Sequence, residues 1–185
     1  MSDEQGVSSE IKSTLNEIAE RLWSGHASVM IGAGFSKNAI KNNPNSKSFL
    51  NWNQLADVFY QKLHNKTPEA NEHYLNPLKL AEEIEAGFGR AVLDKIIESE
   101  LPDLEYSPSE LHAKLLSLPW NDVFTTNYDT LLERTDTAQK YDVVRDKKDL
   151  VYSQRPRIIK LHGSMPSNRP FIISEEDYRT YPQRF

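Results

Sequence analysis

The sequence predicts an α/β fold of the doubly wound type, in which the strands of a parallel sheet alternate with helices along the chain. Short apolar runs rich in β-branched residues are separated by longer segments with helical periodicity, and this alternation is typical of that architecture. The length of 185 residues fits one domain with a sizeable core. Three of the apolar runs lead directly into a glycine-rich or polar motif. Because ligands bind beyond the carboxyl ends of parallel strands, these three motifs can meet at one site.

The chain begins with a predicted helix, a strand and a loop. Residues 9–23 have helical periodicity, and Ser8 or Ser9 can cap the helix. Its apolar positions are Ile11, Leu15, Ile18, Ala19 and Leu22. Residues 28–31 are predicted to form a short buried strand that ends at a glycine turn. The turn-forming residues within 37–50 predict a loop.

Residues 50–118 are predicted to be a helical insertion between the first and second strands. Asn76-Pro77 opens one helix that ends near Gly87, because proline favours the first helical position and glycine the end. Another helix is expected over residues 90–100. Residues 107–110 form a predicted capping box for a helix that bears Leu111, Leu115 and Leu118. The first helix of the insertion is marked by Trp52, Leu55, Ala56, Val58, Phe59 and Leu63.

The last third of the chain returns to strands. A helix is expected to start at Asn127 and to run to Glu133, and residues 174–177 open a final helix that reaches Phe185. A closing strand after that helix would make the sheet more complete, so we expect the chain to be the N-terminal part of a longer polypeptide. Strands are predicted at residues 122–126, 141–144, 157–161 and 171–173.

Composition excludes several classes of protein. A mean hydropathy of -0.64 and the lack of any long apolar run argue against a membrane protein, and the polar start of the chain has no secretory signal core. We therefore expect a cytoplasmic protein. The net charge of -5 offers no broad surface for nucleic acid. With no cysteine and no metal-binding spacing among the histidines, no metal site is expected. Four of the histidines are expected at the solvated surface, namely His26, His64, His73 and His112.

The glycine turn after the first strand is a candidate phosphate cradle. Gly32 and Gly34 let the backbone approach a pyrophosphate, and Ser36 adds a hydroxyl donor. The dehydrogenase fingerprint requires a third glycine where Lys37 stands, and an acidic residue about 20 positions on, which the Asn-rich loop and helix do not supply. A standard dehydrogenase is therefore disfavoured. An ordinary tight turn after a strand remains the alternative.

Two further strand ends carry polar side chains. Asn127 follows the second strand and could either contact a ligand or cap the expected helix, and Asp129 could support a ligand or complement the first helical turn. His162 lies between an apolar strand and a glycine turn. It could be satisfied by the backbone, or it could project into the crevice and act as a base near neutral pH.

Together the three motifs resemble the sirtuin-like domains of bacterial anti-phage defence proteins. The motifs are Gly32-Ala33-Gly34-Phe35-Ser36, Thr126-Asn127-Tyr128-Asp129 and Leu161-His162-Gly163-Ser164. Their order and spacing match that family, and the resemblance extends over about residues 22–181. Residues 174–178 also resemble the family's segment after the histidine strand.

The resemblance implies a Rossmann-like NAD-binding domain over residues 1–185, with the helical insertion inside it. It implies hydrolysis of NAD to nicotinamide and ADP-ribose without a metal, with Asn127 and His162 as the catalytic pair. Asp129 would support the nicotinamide ribose. Contacts to the dinucleotide would come from Gly32, Ala33, Gly34, Phe35, Ser36, Thr126, Gly163 and Ser164. The family usually adds a further strand with a Gly-Tyr-Ser-like or Gly-Phe-Ser-like turn, which this sequence lacks, in keeping with an N-terminal part.

Two other functions stay open at this point. One is a module that senses NAD or ADP-ribose without catalysis. The other is a protein deacylase or ADP-ribosyl transferase. Deacylases carry a four-cysteine zinc module and a Gln-Asn-Ile-Asp motif, whereas this chain has no cysteine and reads Thr-Asn-Tyr-Asp, so this function is disfavoured. For the hydrolase, uncontrolled loss of NAD would kill the cell. The resemblance therefore leads us to expect a C-terminal sensor domain or partner protein that gates activity, together with homo-oligomer formation.

Overall fold

The fold is built on a parallel sheet whose strands all end at the same edge. The computed structural model describes residues 8–69, 76–166 and 169–184. The sheet contains β1 (Ser28–Ile31), β4 (Asp122–Thr125), β5 (Asp142–Val144) and β6 (Arg157–Lys160), in the order β1-β4-β6-β5. All three pairings are parallel. The predicted α/β class is therefore confirmed.

Helices and short elements fill the connections between these strands. The helices are α1 (Ser9–Trp23), α2 (Ala33–Ser36), α3 (Trp52–His64), α4 (Pro77–Phe88), α5 (Arg90–Glu100), α6 (Glu110–Ser117), α7 (Lys147–Tyr152) and α8 (Glu175–Arg184). Strands β2 (Ile40–Lys41) and β3 (Tyr106–Ser107) form a separate antiparallel pair, so the predicted loop over 37–50 contains a two-residue strand. Two 3₁₀ turns lie at Asp103–Glu105 and Asp136–Lys140.

Two apolar clusters form the core. One lies among the helices α3, α4 and α5 and includes Phe59, Ile84, Leu93 and the buried ring of Phe171. The other lies at the sheet and joins Ile31, Leu116, Val123, Leu132, Ala138, Tyr141 and Ile158. Burying a large apolar side chain contributes roughly 1.5–3 kcal/mol, so these clusters hold the helical segment and the sheet in fixed positions.

The predicted helix caps are confirmed in part. Ser8 caps α1, and its Oγ accepts a hydrogen bond from the Ile11 amide at 3.3 Å. In α1 the apolar side chain that is buried is Leu22. Helix α4 begins at Pro77 after the Asn76 cap, as expected, but it ends at Phe88 and is capped by Gly89, where φ is +88°, instead of ending near Gly87.

The cap of α6 differs from the prediction. Ser109, and not Ser107, is the cap residue, and the His112 ring closes the capping box by accepting a hydrogen bond from the Ser109 amide at 3.1 Å. His112 is therefore 1% exposed, so its prediction as a surface residue is wrong. His26 and His64 are exposed as expected, and His73 lies outside the described residues.

The helix predicted over residues 127–133 is absent. The Asp103 carboxylate accepts hydrogen bonds from the Thr130 amide at 2.8 Å and from the Thr130 hydroxyl at 2.6 Å. The Asp129 carboxylate accepts a further bond from the Leu131 amide at 3.2 Å. Side chains thus satisfy backbone donors in this segment, and the chain follows a series of turns instead.

The strand predicted at residues 171–173 is also absent. The Ile173 and Ser174 amides both donate to Asp177 Oδ2 at 3.0 Å, and the Ile172 carbonyl accepts from the Tyr128 hydroxyl at 2.8 Å. Because these backbone groups are bonded to side chains, the segment is buried without a strand partner.

Neither a membrane-spanning helix nor a metal-binding cluster is found among the described residues. Across the described ranges, no helix is both long and apolar enough to span a bilayer. The same ranges hold no group of three or more histidine or acidic side chains arranged to hold a metal ion.

Candidate active site

A cavity of about 530 Å³ lies where the three motifs meet, beyond the carboxyl ends of β1, β4 and β6. The register of the sheet explains the meeting, because Ile31, Thr125 and Lys160 are aligned across the three strands. The residues that follow each strand therefore emerge side by side. The volume falls within the range of roughly 300–1,000 Å³ typical of small-molecule sites.

The cavity has two walls of different character. The strand-end wall is polar and consists of Gly32, Ala33, Gly34, Ser36, Lys37, Thr126, Asn127, Tyr128, Asp129 and His162, and Tyr178 of α8 adjoins it. The helical wall is largely apolar and consists of Phe49, Leu50, Asn51, Trp52, Leu55, Ile97, Glu100 and Leu101. Such a division suits a ligand with both hydroxylated and flat ring portions.

The glycine turn leaves open space above the backbone. Gly32 and Gly34 have ordinary backbone angles, without the positive φ that favours glycine. A Cβ built on either residue would meet no atom of the chain within 4 Å. Neither packing nor backbone strain thus requires glycine here, and the free space faces the cavity. This observation favours a ligand cradle over an ordinary tight turn.

A chain of hydrogen bonds orients Asn127. Its Nδ2 donates to the Gly32 carbonyl at 3.1 Å and to Ser36 Oγ at 2.9 Å. Ser36 in turn donates to Asp129 Oδ2 at 2.7 Å. Both amide protons of Asn127 are therefore used, and its Oδ1 is buried with no hydrogen-bond partner in the described part of the chain. An acceptor left in this state at a cavity wall is suited to a ligand or a water molecule.

A buried cation supports the segment that carries Asp129. Lys160 is 1% exposed, and its ammonium group donates to the Asp129 carbonyl and forms an ion pair with Glu133 at 3.0 Å. Lys160 lies within the predicted strand that leads to His162, but the sequence did not predict this buried supporting role. A lysine that follows Ile158 and Ile159 in a buried strand was the signal available for this role.

His162 is half-buried at the end of β6 and is neutral at pH 7. Burial lowers the pKa of the imidazole, and the nearby Arg169 guanidinium lowers it further. Arg169 donates to the Lys160 carbonyl at 2.8 Å and to the Leu161 carbonyl at 3.2 Å, just before the histidine. A neutral imidazole at a polar cavity wall can accept a proton.

Helix α8 brings two tyrosine rings against His162. The ring centroids of Tyr178 and Tyr181 lie 5.2 and 5.9 Å from that of the imidazole, both edge-on. The Tyr178 hydroxyl lies 3.4 Å from His162 Nδ1, whereas the Tyr181 hydroxyl donates to the Leu161 carbonyl at 3.1 Å.

An ion pair fixes the start of this helix. Arg90 contacts both oxygens of the Asp177 carboxylate, at 3.0 and 2.8 Å. Burial raises the pKa of Asp177, but the Ser174 and Ile173 amides and Arg90 outweigh it and hold the pKa below its usual range. Asp177 is therefore charged near neutral pH, and it ties α8 to the helical segment.

The structure brings most of the predicted site residues to the cavity. Those that line it are Gly32, Ala33, Gly34, Ser36, Thr126, Asn127, Asp129 and His162. Three others do not. The Phe35 ring packs edge-on against His112 at 4.9 Å, and the Ser164 hydroxyl is buried and donates to the Met165 carbonyl. Gly163 has φ of +105°, and a Cβ there would lie 3.1 Å from the Phe171 ring.

Sequence reasoning missed the helical wall and Tyr178. The residues of that wall lie far along the chain from the three motifs, and they reach the cavity through packing of α3 and α5. The Asn51 capping box with Gln54 marked where α3 begins, but nothing local indicated what its first turn would face.

The comparisons with known proteins concern the chain as a sequence. Residues 121–185 match the family described as the SIR2-like domain. That match includes the segments of Asn127 and His162 but not the glycine turn. The resemblance to sirtuin-like domains found in the sequence is therefore confirmed, and the family match itself extends over residues 121–185.

The individual relatives are distant. The chain is 25% identical over 175 residues to "NAD(+) hydrolase ThsA" of Enterococcus faecium, which covers 92% of this chain and 34% of that protein. It is 22% identical over 177 residues to "Defense-associated sirtuin 2" of Bacillus subtilis, covering 92% of this chain and 17% of that protein. A second protein named "NAD(+) hydrolase ThsA", from Cytobacillus dafuensis, is 25% identical over 172 residues, covering 90% of this chain and 32% of that protein. The chain therefore spans about a third or less of the length of these relatives.

Proposed function

We propose that the cavity binds NAD and that the protein hydrolyses the bond between nicotinamide and ribose. The observation that carries the proposal is the arrangement of Asn127 and His162. Asn127 is held by Ser36 and Gly32 with its carbonyl oxygen unpartnered, and it lines the same cavity as a half-buried neutral imidazole. The names of the distant relatives, NAD(+) hydrolase and defense-associated sirtuin, support the same reaction.

The residues of the cavity fit the proposed substrate. The open space above Gly32 and Gly34 lets a phosphate group approach the backbone. The polar strand-end wall offers hydrogen-bond partners to ribose hydroxyls, and the helical wall includes an aromatic residue, Trp52, which suits contact with a flat ring.

The reaction follows from these positions. The bond between ribose C1′ and the nicotinamide nitrogen breaks, and its electron pair leaves with nicotinamide and neutralises the ring charge. Positive charge then develops on the ribose, and a water oxygen forms the new bond to C1′. His162 accepts the proton that this water loses, and Asn127 Oδ1 accepts a hydrogen bond that holds the water or a ribose hydroxyl in line. The products are nicotinamide, ADP-ribose and one proton.

For the whole protein we propose an effector role in anti-phage defence. The proposal rests on the names of the relatives, and it includes NAD as the partner of this domain. Because loss of NAD is lethal, a sensor domain or partner protein would gate the activity, and assembly into homo-oligomers is one way to do so.

The test is release of nicotinamide from NAD by the protein and by two variants. His162→Ala and Asn127→Ala should each lose about 10²–10⁴-fold in rate, since that is the usual loss for a positioned acid–base group. Two exposed residues outside the cavity supply matched controls, His26→Ala and Asn45→Ala, which should keep the wild-type rate. Full activity in the site variants would refute the assignment. Binding of NAD without turnover by any form would favour the sensing module.

A further inference from the structure

Tyr178 holds the ring of His162 by one of its two nitrogens. The Tyr178 hydroxyl lies 3.4 Å from Nδ1, and the tyrosine ring meets the imidazole edge-on at an interplanar angle of 84°. The tyrosine itself lines the cavity. The remaining nitrogen, Nε2, is therefore the one left to act toward a ligand.

The number of protons on a neutral imidazole limits which of the two groups can donate the hydrogen bond in this contact. A neutral ring carries one N–H, so one nitrogen donates and the other accepts. If the tyrosine hydroxyl donated to Nδ1, the single ring proton would be on Nε2, and Nε2 would have no lone pair with which to accept a proton. If Nδ1–H donates to the tyrosine oxygen, Nε2 keeps its lone pair. The second arrangement also survives protonation, because an imidazolium still donates through Nδ1.

We propose that Tyr178 is a positioning residue whose hydroxyl oxygen accepts a hydrogen bond from His162 Nδ1–H and thereby sets the tautomer in which Nε2 is the base. This inference rests on the proposed function, in which His162 takes a proton from water. Tyr178 acts through the histidine and takes no part in bond breaking.

The fold gives this tyrosine a fixed position. Its neighbour Asp177 is 1% exposed, and the Asp177 carboxylate binds Arg90 and the amides of Ile173 and Ser174. Ser174 Oγ accepts a bond from the Asp177 amide at 3.1 Å, which closes a capping box at the start of α8. Tyr178 is therefore held in the first turn of a helix whose end is anchored to α5.

Tyr181 supplies the matched control. It lies on the same helix, and its ring also meets His162 edge-on, but its hydroxyl donates to the Leu161 carbonyl. Tyr178→Phe and Tyr181→Phe each remove one hydroxyl and keep the ring. The first alone removes the contact to Nδ1.

The experiment is ¹⁵N NMR of the protein labelled in its histidines, at about pH 8, where His162 is neutral. The His162 resonances are assigned by their loss in His162→Ala. Wild type and Tyr181→Phe should show the proton on Nδ1, and Tyr178→Phe should move it toward Nε2. In NAD hydrolysis, Tyr178→Phe should lower kcat about tenfold and change KM by less than about twofold, as expected for loss of one orienting hydrogen bond.

A wild-type ring protonated on Nε2, or a tautomer that Tyr178→Phe does not change, would overturn the inference. An equal loss of the Nδ1–H tautomer in Tyr181→Phe and in Tyr178→Phe would also overturn it. Packing of the tyrosine rings, and not the hydroxyl contact to Nδ1, would then set the tautomer. The tautomer is measured without NAD. If wild type shows the Nδ1–H form but hydrolyses no NAD, the proposed function fails while the role of Tyr178 in orienting the ring stands.

Discussion

Replacing Ser36 with alanine would break the hydrogen-bond chain that orients Asn127. The Ser36 hydroxyl is 3% exposed, donates to Asp129 Oδ2 at 2.7 Å and accepts from Asn127 Nδ2 at 2.9 Å. After the change, Asn127 Nδ2 keeps its bond to the Gly32 carbonyl, and Asp129 keeps its bond from the Leu131 amide. The amide of Asn127 is then held at one point instead of two.

The substitution should lower both the free energy of unfolding and the rate of nicotinamide release. A hydrogen bond to a charged acceptor contributes about 1.5–3 kcal/mol and a neutral one about 0.5–1.5 kcal/mol. Because both partners keep another bond, we expect a loss of about 2 kcal/mol in the free energy of unfolding. For a chain of this length that lowers Tm by about 4–8 °C. Displacing a positioning group by about 1 Å can reduce the rate by about 10²-fold, so nicotinamide release should fall by about 10–100-fold.

Thermal unfolding and nicotinamide release are measured together, with Ser164→Ala as the control. Ser164 is also buried, and its hydroxyl donates to the Met165 carbonyl, but it does not line the cavity. That variant should lose about 1 kcal/mol of stability and keep its rate within about twofold. The reasoning is refuted if Ser36→Ala hydrolyses NAD at the wild-type rate, or if both serine variants lose activity equally.

Two other predictions concern charge. Since burial and Arg169 lower the pKa of His162, the acidic limb of kcat/KM should have its midpoint below 6.5. The unfolded state then binds the proton more readily, so the stability contributed by His162 is complete above about pH 6.5 and is lost as the pH falls. The pKa of His112 is lowered too, so the contribution of His162 has to be separated from that of His112. The free energy of urea unfolding is therefore measured from pH 5 to 8 for the wild type and for His162→Ala, and its pH dependence should be weaker in the variant. Lys160→Met leaves Glu133 buried without its cation and should cost about 3–5 kcal/mol in urea unfolding. Lys160→Met combined with Glu133→Leu should cost less than Lys160→Met alone, and a single-variant loss under about 1 kcal/mol would contradict the role of the pair.

Much of the fold was predictable because its signals are local. The strand β1 and the helix α4 are encoded in consecutive residues, by an apolar run before glycine and by Asn76-Pro77. The meeting of the motifs was also predictable, since parallel strands end at one edge of a sheet. These features need no knowledge of distant contacts.

The parts that could not be predicted depend on distant partners. His112 follows a polar cap and has the pattern of a surface residue, yet its ring packs against Phe35, from a segment more than 70 positions earlier. Trp52 and Ile97 reach the cavity through helix packing that no short stretch of sequence describes. Lys160 is buried because Glu133 and the Asp129 carbonyl receive it.

The two predicted elements that are absent from the structure, at residues 127–133 and 171–173, are absent for the same reason, and the first of them contributes residues to the cavity. In residues 127–133 and 171–173, backbone groups that a helix or a strand would use are bonded to side chains, chiefly those of Asp103 and Asp177. A helix beginning after Asn127 would have engaged its side-chain oxygen with an amide of the first turn. In the observed turns that oxygen is unpartnered among the described residues, while the side-chain nitrogen Nδ2 of Asn127 donates to Ser36 Oγ. The local departure from regular structure thus leaves Asn127 Oδ1 without a backbone partner, and the proposed reaction uses this oxygen as a hydrogen-bond acceptor.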